Sequence, residues 1–329
     1  MAQIIASPHR LSLAHIEQAA GVIDPIFLNS PQFESEPLSR ALSTRLSLKV
    51  ETLNPIRSFK GRGASFFAHK AAAALAGQRL VCASAGNWGQ ALAYVCRQRG
   101  WPLVVYSSTR VNPLKAERMR ALGAELRLQG DDFDDAKQAA RRFCADSGAL
   151  FVEDGRETAI AEGAGTIAIE MLRGRVFDSP FDSVLIPLGD GALASGMGRW
   201  IKAHAPEVRV VGICACNADA LAESWRTGRH VMRSSADTIA DGIGVRAPVP
   251  EALVDLADTL DEVLLVSEDA MTQAMRLVFE HVGLVLEPAG AAGVAAVLEH
   301  AQLRSRALAT VLTGSNVAPQ LATRLKEFS

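Results

Sequence analysis

From Arg79 to Asp154, short apolar runs alternate with segments of helical periodicity. RLVCAS (79–84), PLVVYSS (102–108), AELRLQG (124–130) and ALFVED (149–154) predict strands, because each is short, apolar and bounded by turn residues. Between them NWGQALAYVCRQRG (87–100), NPLKAERMRALG (112–123) and DDFDDAKQAARRFCADSG (131–148) predict helices. The last is acidic at its start and carries Arg141 and Arg142 further along, the order a helix dipole favours, and reads as a solvated helix face. The rhythm resumes with DSVLIPLG and GALASGMGRWIKAHA, VRVVGICA and NADALAESWRTG, DEVLLVS and EDAMTQAMRLVFEHVG, then LATVLTG. Strands alternating with helices imply an α/β fold whose mostly parallel sheets are covered on both faces.

The chain shows no internal repeat and no low-complexity linker. Residues 234–250 are rich in turn formers and are a candidate functional loop. Lobe boundaries are expected near residues 70–80 and 155. Residues 76–155 would then be a small lobe inserted into a larger one made of 1–75 and 156–329.

Composition narrows the function classes. A net charge of −2 gives no nucleic-acid footprint, and no apolar run is long enough to span a bilayer. The opening MAQIIASPHRLSLAH has no apolar core followed by a small-residue cleavage site, so no signal peptide is expected. Five scattered cysteines include Cys214 and Cys216 in a C-x-C spacing that completes no zinc set. Reduced thiols in a cytoplasmic protein are the reading, and no metal is expected.

One lysine segment and three strand-end loops carry candidate chemistry. NPIRSFKGRGA (54–64) holds Lys60, which on its own reads equally as a surface charge, a phosphate clamp or a covalent nucleophile. VLIPLGDGALASGMG (184–198) is a strand running into a glycine turn and a helix, the arrangement whose backbone N–H groups bind phosphate. Gly189, Gly191 and Ala194 match the dinucleotide fingerprint, yet the following strand ends without an acidic residue for a ribose; the first candidate, Asp219, falls within the next helix pattern. A phosphate site is therefore favoured over a nicotinamide dinucleotide, with a purely structural turn as the other reading. Asp190 is an unusual guest beside a phosphate. SAGNWGQ (84–90) offers Ser84, Gly86, Asn87, Gly89 and Gln90 at a second helix start, suited to a carboxylate, and TGSN (313–316) is a third such turn. All three follow strands, so they can converge on one cleft with Lys60 at its edge.

Together these motifs resemble the fold-type-II pyridoxal-phosphate enzymes, in the serine/threonine dehydratase and serine racemase branch. SFKGRGA resembles the Schiff-base lysine motif, SAGNWGQ the substrate-carboxylate loop and PLGDGAL the phosphate loop; DTIADGIGV, LEPAG and LTGSN are similar to later landmarks, in order. The resemblance implies two lobes, each with a mostly parallel open sheet, and pyridoxal 5'-phosphate bound covalently to Lys60. Gly189, Asp190, Gly191, Ala192 and Leu193 would bind the phosphate, Asn87 the phenolic oxygen and Thr313 the ring nitrogen. Phe59 would pack on the ring or belong to the core. Ser84, Ala85, Gly86, Asn87 and Trp88 would face the substrate. The implied activity is loss of water from a β-hydroxy-α-amino acid to give a 2-oxo acid and ammonia. A racemase of the same family, a nicotinamide-dependent oxidoreductase and a catalytically silent amino-acid-binding protein are the alternatives. A homodimer is the family expectation.

Four departures from the family pattern matter. Racemases of this branch carry a second serine where this chain has Ala85, whose methyl carries no proton, so the lyase reading gains. Trp88 replaces the usual histidine, and either fills a lobe interface or shapes the pocket for an aromatic β-substituent such as that of phenylserine. Cys214 and Ala220 stand where relatives hold a divalent ion with acidic residues, so no magnesium site of that type is expected. Asp219 reads as a solvated helix residue. Little sequence follows TGSN, so a C-terminal regulatory domain and inhibition by isoleucine are not expected.

Overall fold

The computed structural model describes residues 9–75, 77–174, 176–178, 180–318 and 321. Residues 1–8, on which half of the signal-peptide reading rests, and 322–329, the end of the expected larger lobe, lie outside the described residues. The described strands are β1 (Gln32–Glu34), β2 (Arg45–Val50), β3 (Leu80–Ala83), β4 (Leu103–Ser107), β5 (Glu125–Leu128), β6 (Leu150–Phe151), β7 (Ser183–Pro187), β8 (Arg209–Ala215), β9 (Glu262–Val266) and β10 (Ala307–Leu312). They form two sheets. The larger runs β1-β2-β10-β7-β8-β9 and is parallel except for β1; the smaller runs β5-β4-β3-β6 and is parallel throughout.

The apolar runs are continuous because both faces of each sheet are buried. In the larger sheet Leu185, Val211 and Ile213 face one core, while Val184, Ile186, Val210 and Val311 face the other. In the smaller sheet Leu80, Cys82, Leu103 and Val105 face one core, and Val81, Ala83, Val104 and Tyr106 the opposite one. This is the two-residue alternation of a strand, with no polar side. Helices 87–99, 133–147, 220–227 and 268–282 each stop at a glycine with positive φ (Gly100, Gly148, Gly228, Gly283), which ends a helix without a Cβ penalty.

Two expectations are corrected. The charged helix Phe133–Ser147 is not simply a solvated face. Asp134 and Lys137 are buried, and Lys137 bridges Asp134 at 3.7 Å and Glu153 at 3.3 Å. The packing of this helix against β3 and β4 turns that side inward. TGSN follows a strand, as expected, but residues 313–318 carry no helix, so it is not a helix start like the other two turns.

Candidate active site

Lys60 is the first residue of the helix Lys60–Ala71, so the glycines after it lie in a helix and not in a turn. They are there for packing. A Cβ on Gly61 would overlap the Phe27 ring, and one on Gly63 would sit 2.7 Å from the Ile160 carbonyl oxygen. The helix Thr158–Arg173 reciprocates with Gly163, where a Cβ would meet the Arg62 carbonyl oxygen at 2.7 Å. Arg62 is fully buried in an ionic knot. Its Nε and guanidinium nitrogens donate to Glu51 at 2.7 and 2.9 Å and to Glu170 at 2.6 and 2.9 Å, while Lys49 adds a 2.6 Å bond to Glu170.

The approach to Lys60 is fixed from two sides. Asn54 folds the NPIRS loop over itself, donating to the carbonyls of Glu51 and Ser58. The same loop then pairs with the TGSN turn: Phe59 N–H donates to Thr313 O at 3.0 Å, Ser315 N–H to Arg57 O at 3.0 Å and Asn316 Nδ2 to Ile56 O at 2.9 Å. Lys60 therefore sits where the first and last motifs of the chain are stitched together.

One cavity is lined by Phe59, Lys60, Ser84, Ala85, Gly86, Asn87, Trp88, Gly189, Asp190, Gly191, Ala192, Leu193 and Thr313, so the residues to which the family resemblance gives roles meet there, while Gly89 and Gln90 of the SAGNWGQ loop do not line it. Two helix starts open onto it, Asn87–Arg99 and Ala192–His204; their first-turn N–H groups have no partner within the helix. Gly191 has φ +94°, and a Cβ on Gly189 would come within 2.6 Å of the Gly242 carbonyl oxygen, so this cradle needs glycine. Ser84 Oγ accepts from Gly86 N–H at 2.9 Å and Gly89 N–H at 2.8 Å, which commits two of the loop's donors to its own shape. The Asn87 amide is held at both ends, donating to Glu287 and accepting from Asn316 at 2.9 Å. Phe59 belongs both to the core and to the cavity wall, its ring 4.8 Å from Lys60 Nζ. Trp88 also does both, packing in the core beside the smaller sheet while its buried Nε1 has no partner. Thr313 Oγ1 has only a 3.5 Å contact to Ala289 O.

Sequence reasoning missed the charges around this cavity. On one wall Lys115 reaches Asp241 at 2.8 Å and Glu287 at 3.1 Å. Burial opposes the charge on Lys115, but the two carboxylates outweigh it and hold its pKa above the ordinary lysine value; burial pushes the Glu287 carboxyl up. On the other wall Lys60 Nζ pairs with Asp154, and Asp190, Glu153 and Lys137 lie close by. Burial, then the Asp154 charge, pushes Asp190 up to about 6. Asp241 and Glu287 stand inside two motifs the sequence reading had marked. Lys115 carried a signal of its own, one turn before the buried Met119 on the inward side of its helix.

The model for the pyridoxal-phosphate dependent enzyme family matches residues 23–314. The chain belongs to that family. It is 32% identical over 319 residues to L-threonine ammonia-lyase of Thermotoga maritima, covering 96% of this chain and 78% of the relative. Among solved structures, a T.th. threonine deaminase is 32% identical, with a TM-score of 0.84 over 93% of this chain and 98% of that one. Maize serine racemase, 24% identical, shares the fold with a TM-score of 0.88 over 96% of this chain and 97% of that one. The chain spans about half the length of the plant biosynthetic threonine dehydratases that it also matches. This is a fold-type-II enzyme of the dehydratase and racemase branch, and its cofactor is pyridoxal 5'-phosphate. The residues present fit that group: a lysine amine on the wall, a glycine cradle with no room for Cβ atoms, and an unpartnered buried indole N–H.

Proposed function

We propose that the protein removes water from a β-hydroxy-α-amino acid of the serine and threonine type, giving a 2-oxo acid and ammonia. The observation that carries this is the meeting of Lys60, two helix starts and Thr313 on one cavity. Lys60 holds the cofactor covalently; Gly189, Asp190, Gly191, Ala192 and Leu193 hold its phosphate; Asn87 and Thr313 address its ring oxygen and ring nitrogen, and Phe59 flanks the ring. Ser84, Ala85, Gly86, Asn87 and Trp88 hold the substrate. When bound, pyridoxal phosphate supplies the electron sink for bond breaking at Cα. The freed Lys60 amine then accepts the Cα proton. Thr313 offers the ring nitrogen a hydroxyl where a carboxylate would keep it protonated, which favours elimination over a long-lived carbanion. Ala85 offers no proton to the opposite face of Cα, which argues against the racemase reading.

The pocket favours a bulky β-substituent. Trp88, Phe133 and Phe151 all line it, which supports an aryl group such as that of phenylserine. The cavity lies between the two sheets, in keeping with a small lobe of residues 76–155 carrying the substrate loop, inserted into a larger lobe of 1–75 and 156–329. A cytoplasmic homodimer completes the proposal. Among the described residues no helix is long and apolar enough to cross a membrane, and all five cysteines are free.

The test is 2-oxo acid production from the stereoisomers of serine, threonine and phenylserine, with borohydride trapping at Lys60 and chiral analysis of the remaining substrate. Lys60→Ala loses at least the roughly 10²–10⁴-fold that a positioned proton-transfer group contributes. Racemised substrate without a 2-oxo acid overturns the lyase reading, and activity on threonine alone overturns the aryl pocket.

A further inference from the structure

Lys60 has an acidic neighbour that the family motifs do not explain. Its Nζ pairs with Asp154, which lies just past β6, and the Asp154 side chain is only 4% exposed. The second Asp154 oxygen, Oδ1, is enclosed without a hydrogen-bond partner, and so is Oδ1 of Asp190 from the glycine cradle. The two segments touch. A Cβ on Gly155 would run into the Asp190 carbonyl oxygen and lie 3.2 Å from Asp190 Cβ. Two carboxyl groups from different sheets thus share a wall of the active cavity, each with one oxygen unengaged.

The charges facing them are few. Lys60 and Lys137 are the cations, and Glu153 is a third carboxylate. Lys137 is already divided between Glu153 at 3.3 Å and Asp134 at 3.7 Å. Arg141 satisfies Glu153, and Arg246 reaches Asp134 at 3.4 Å. On the far wall of the same cavity Lys115 is spent on Asp241 and Glu287. Cys82, buried near Asp154, has its thiol pushed well up by burial and stays neutral. Lys60 is therefore the one direct cationic partner of Asp154 among the described residues.

That partner is consumed by cofactor attachment. When the Lys60 ammonium condenses with an aldehyde, a carbon–nitrogen double bond forms, one water leaves and the positive charge stays on nitrogen, so the bond itself exchanges no proton with solvent. The ammonium has three N–H donors; the bonded nitrogen keeps at most one. With two of the three N–H donors gone, the bonded nitrogen supports two ionised carboxylates less well than the ammonium did, and the pair's affinity for a proton rises. We propose that Asp154 and Asp190 form a carboxyl pair that takes up one proton when Lys60 bonds the cofactor, and that Asp154 is the positioning residue to which the free Lys60 amine returns when substrate displaces it. This rests on the assignment of Lys60 above and adds a proton store beside the amine that handles the Cα proton.

The sign follows from linkage. Cofactor-free protein holds Asp190 protonated up to about pH 6, whereas loaded protein keeps the pair's proton to higher pH. Uptake occurs above about pH 6, so affinity for pyridoxal 5'-phosphate falls as pH rises through that window, by as much as about tenfold per pH unit. The experiment titrates cofactor-free protein with pyridoxal 5'-phosphate between pH 5.5 and 8.5, followed by absorbance, in wild type, Asp190→Asn and Asp154→Asn. The cofactor's own titrations are common to all three, so the comparison isolates the carboxyl pair. The expected result is a steeper loss of affinity with pH in wild type than in either variant. Equal slopes in wild type and in whichever variant folds overturn the proposal while leaving the Lys60 assignment intact. Failure of borohydride to trap cofactor on Lys60 in wild type overturns both.

Discussion

Arg62 is the sharpest test of how the helix that begins at Lys60 is anchored. Replacing it with methionine keeps an unbranched apolar stem, shortens the side chain and removes its charge. Four charge-assisted hydrogen bonds disappear, two to Glu51 and two to Glu170, along with weaker contacts to Thr166 and Ser30. Glu51 is 1% exposed and keeps a hydroxyl partner in Ser30, while Glu170 keeps only Lys49 as a cation. Breaking a buried ionic cluster on one side costs about 3–5 kcal/mol because the remaining charge is left uncompensated. Against a total stability of roughly 5–15 kcal/mol, that brings the variant near the edge of folding at 25 °C. The pH dependence distinguishes this mechanism from a simple cavity. Burial alone would raise Glu170, but Arg62 and Lys49 outweigh it and hold its carboxyl down to about 2. A depressed carboxyl contributes stability that is present above the ordinary value of 4.5 and is lost as pH falls towards about 2. The variant lacks that contribution, so the gap between the two proteins narrows below pH 4.5. Urea unfolding at pH 7 and at pH 4 measures both. A loss under about 1 kcal/mol at pH 7, or a gap that stays constant on acidification, refutes the reasoning.

Gly189→Ala drives a methyl to 2.6 Å from the Gly242 carbonyl oxygen, so the cradle and the 241–245 segment must part; cofactor affinity measured by absorbance titration falls by an order of magnitude or more while the circular dichroism spectrum is kept. Trp88→His replaces a large apolar ring with a small polar one and shifts the ratio of kcat/KM for phenylserine over threonine towards threonine by roughly 10–200-fold, the range for a change in one apolar pocket contact; an unchanged ratio refutes the pocket role of Trp88.

Much of the fold was legible because both sheets are parallel apart from β1 and their central strands are covered on both faces. Strands buried on two faces read as unbroken apolar runs, and glycine-terminated helices mark their own ends. The strands before Arg79 were not read, and β2 shows why. Arg45, Ser47 and Lys49 break its apolar run, although Lys49 and Ser47 are buried. Lys49 finds its partner far away in sequence, in Glu170, and the Ser47 hydroxyl is enclosed without one, so neither is marked as buried by its neighbours in the chain. The site's loops were legible because each places small residues at a strand end, a local demand. Its charges were not, because a buried ion pair joins residues such as Lys60 and Asp154, or Lys115 and Glu287, that no local pattern connects. The helix Phe133–Ser147 failed for the same reason: a charged surface and a charged wall have one and the same local pattern.

The cavity's charges also explain how an anionic cofactor and an anionic substrate could share it. Three lysines line it, against the carboxyl groups of Glu153, Asp154, Asp190, Asp241 and Glu287. With all of these ionised the cavity is net negative before a phosphate or an amino-acid carboxylate enters. Burial raises two of the carboxyls, Asp190 on one wall and Glu287 on the other, which draws the balance towards neutrality. None of the lysines is free for an anion, since Lys115 and Lys137 each pair with two acidic side chains and the proposed function assigns Lys60 to the covalent bond. On the proposed function, anion binding falls to the N–H groups at the starts of the helices 87–99 and 192–204, whose dipoles favour negative charge without adding a cation. The same proposal accounts for the glycines at these two helix starts, which a close backbone approach requires.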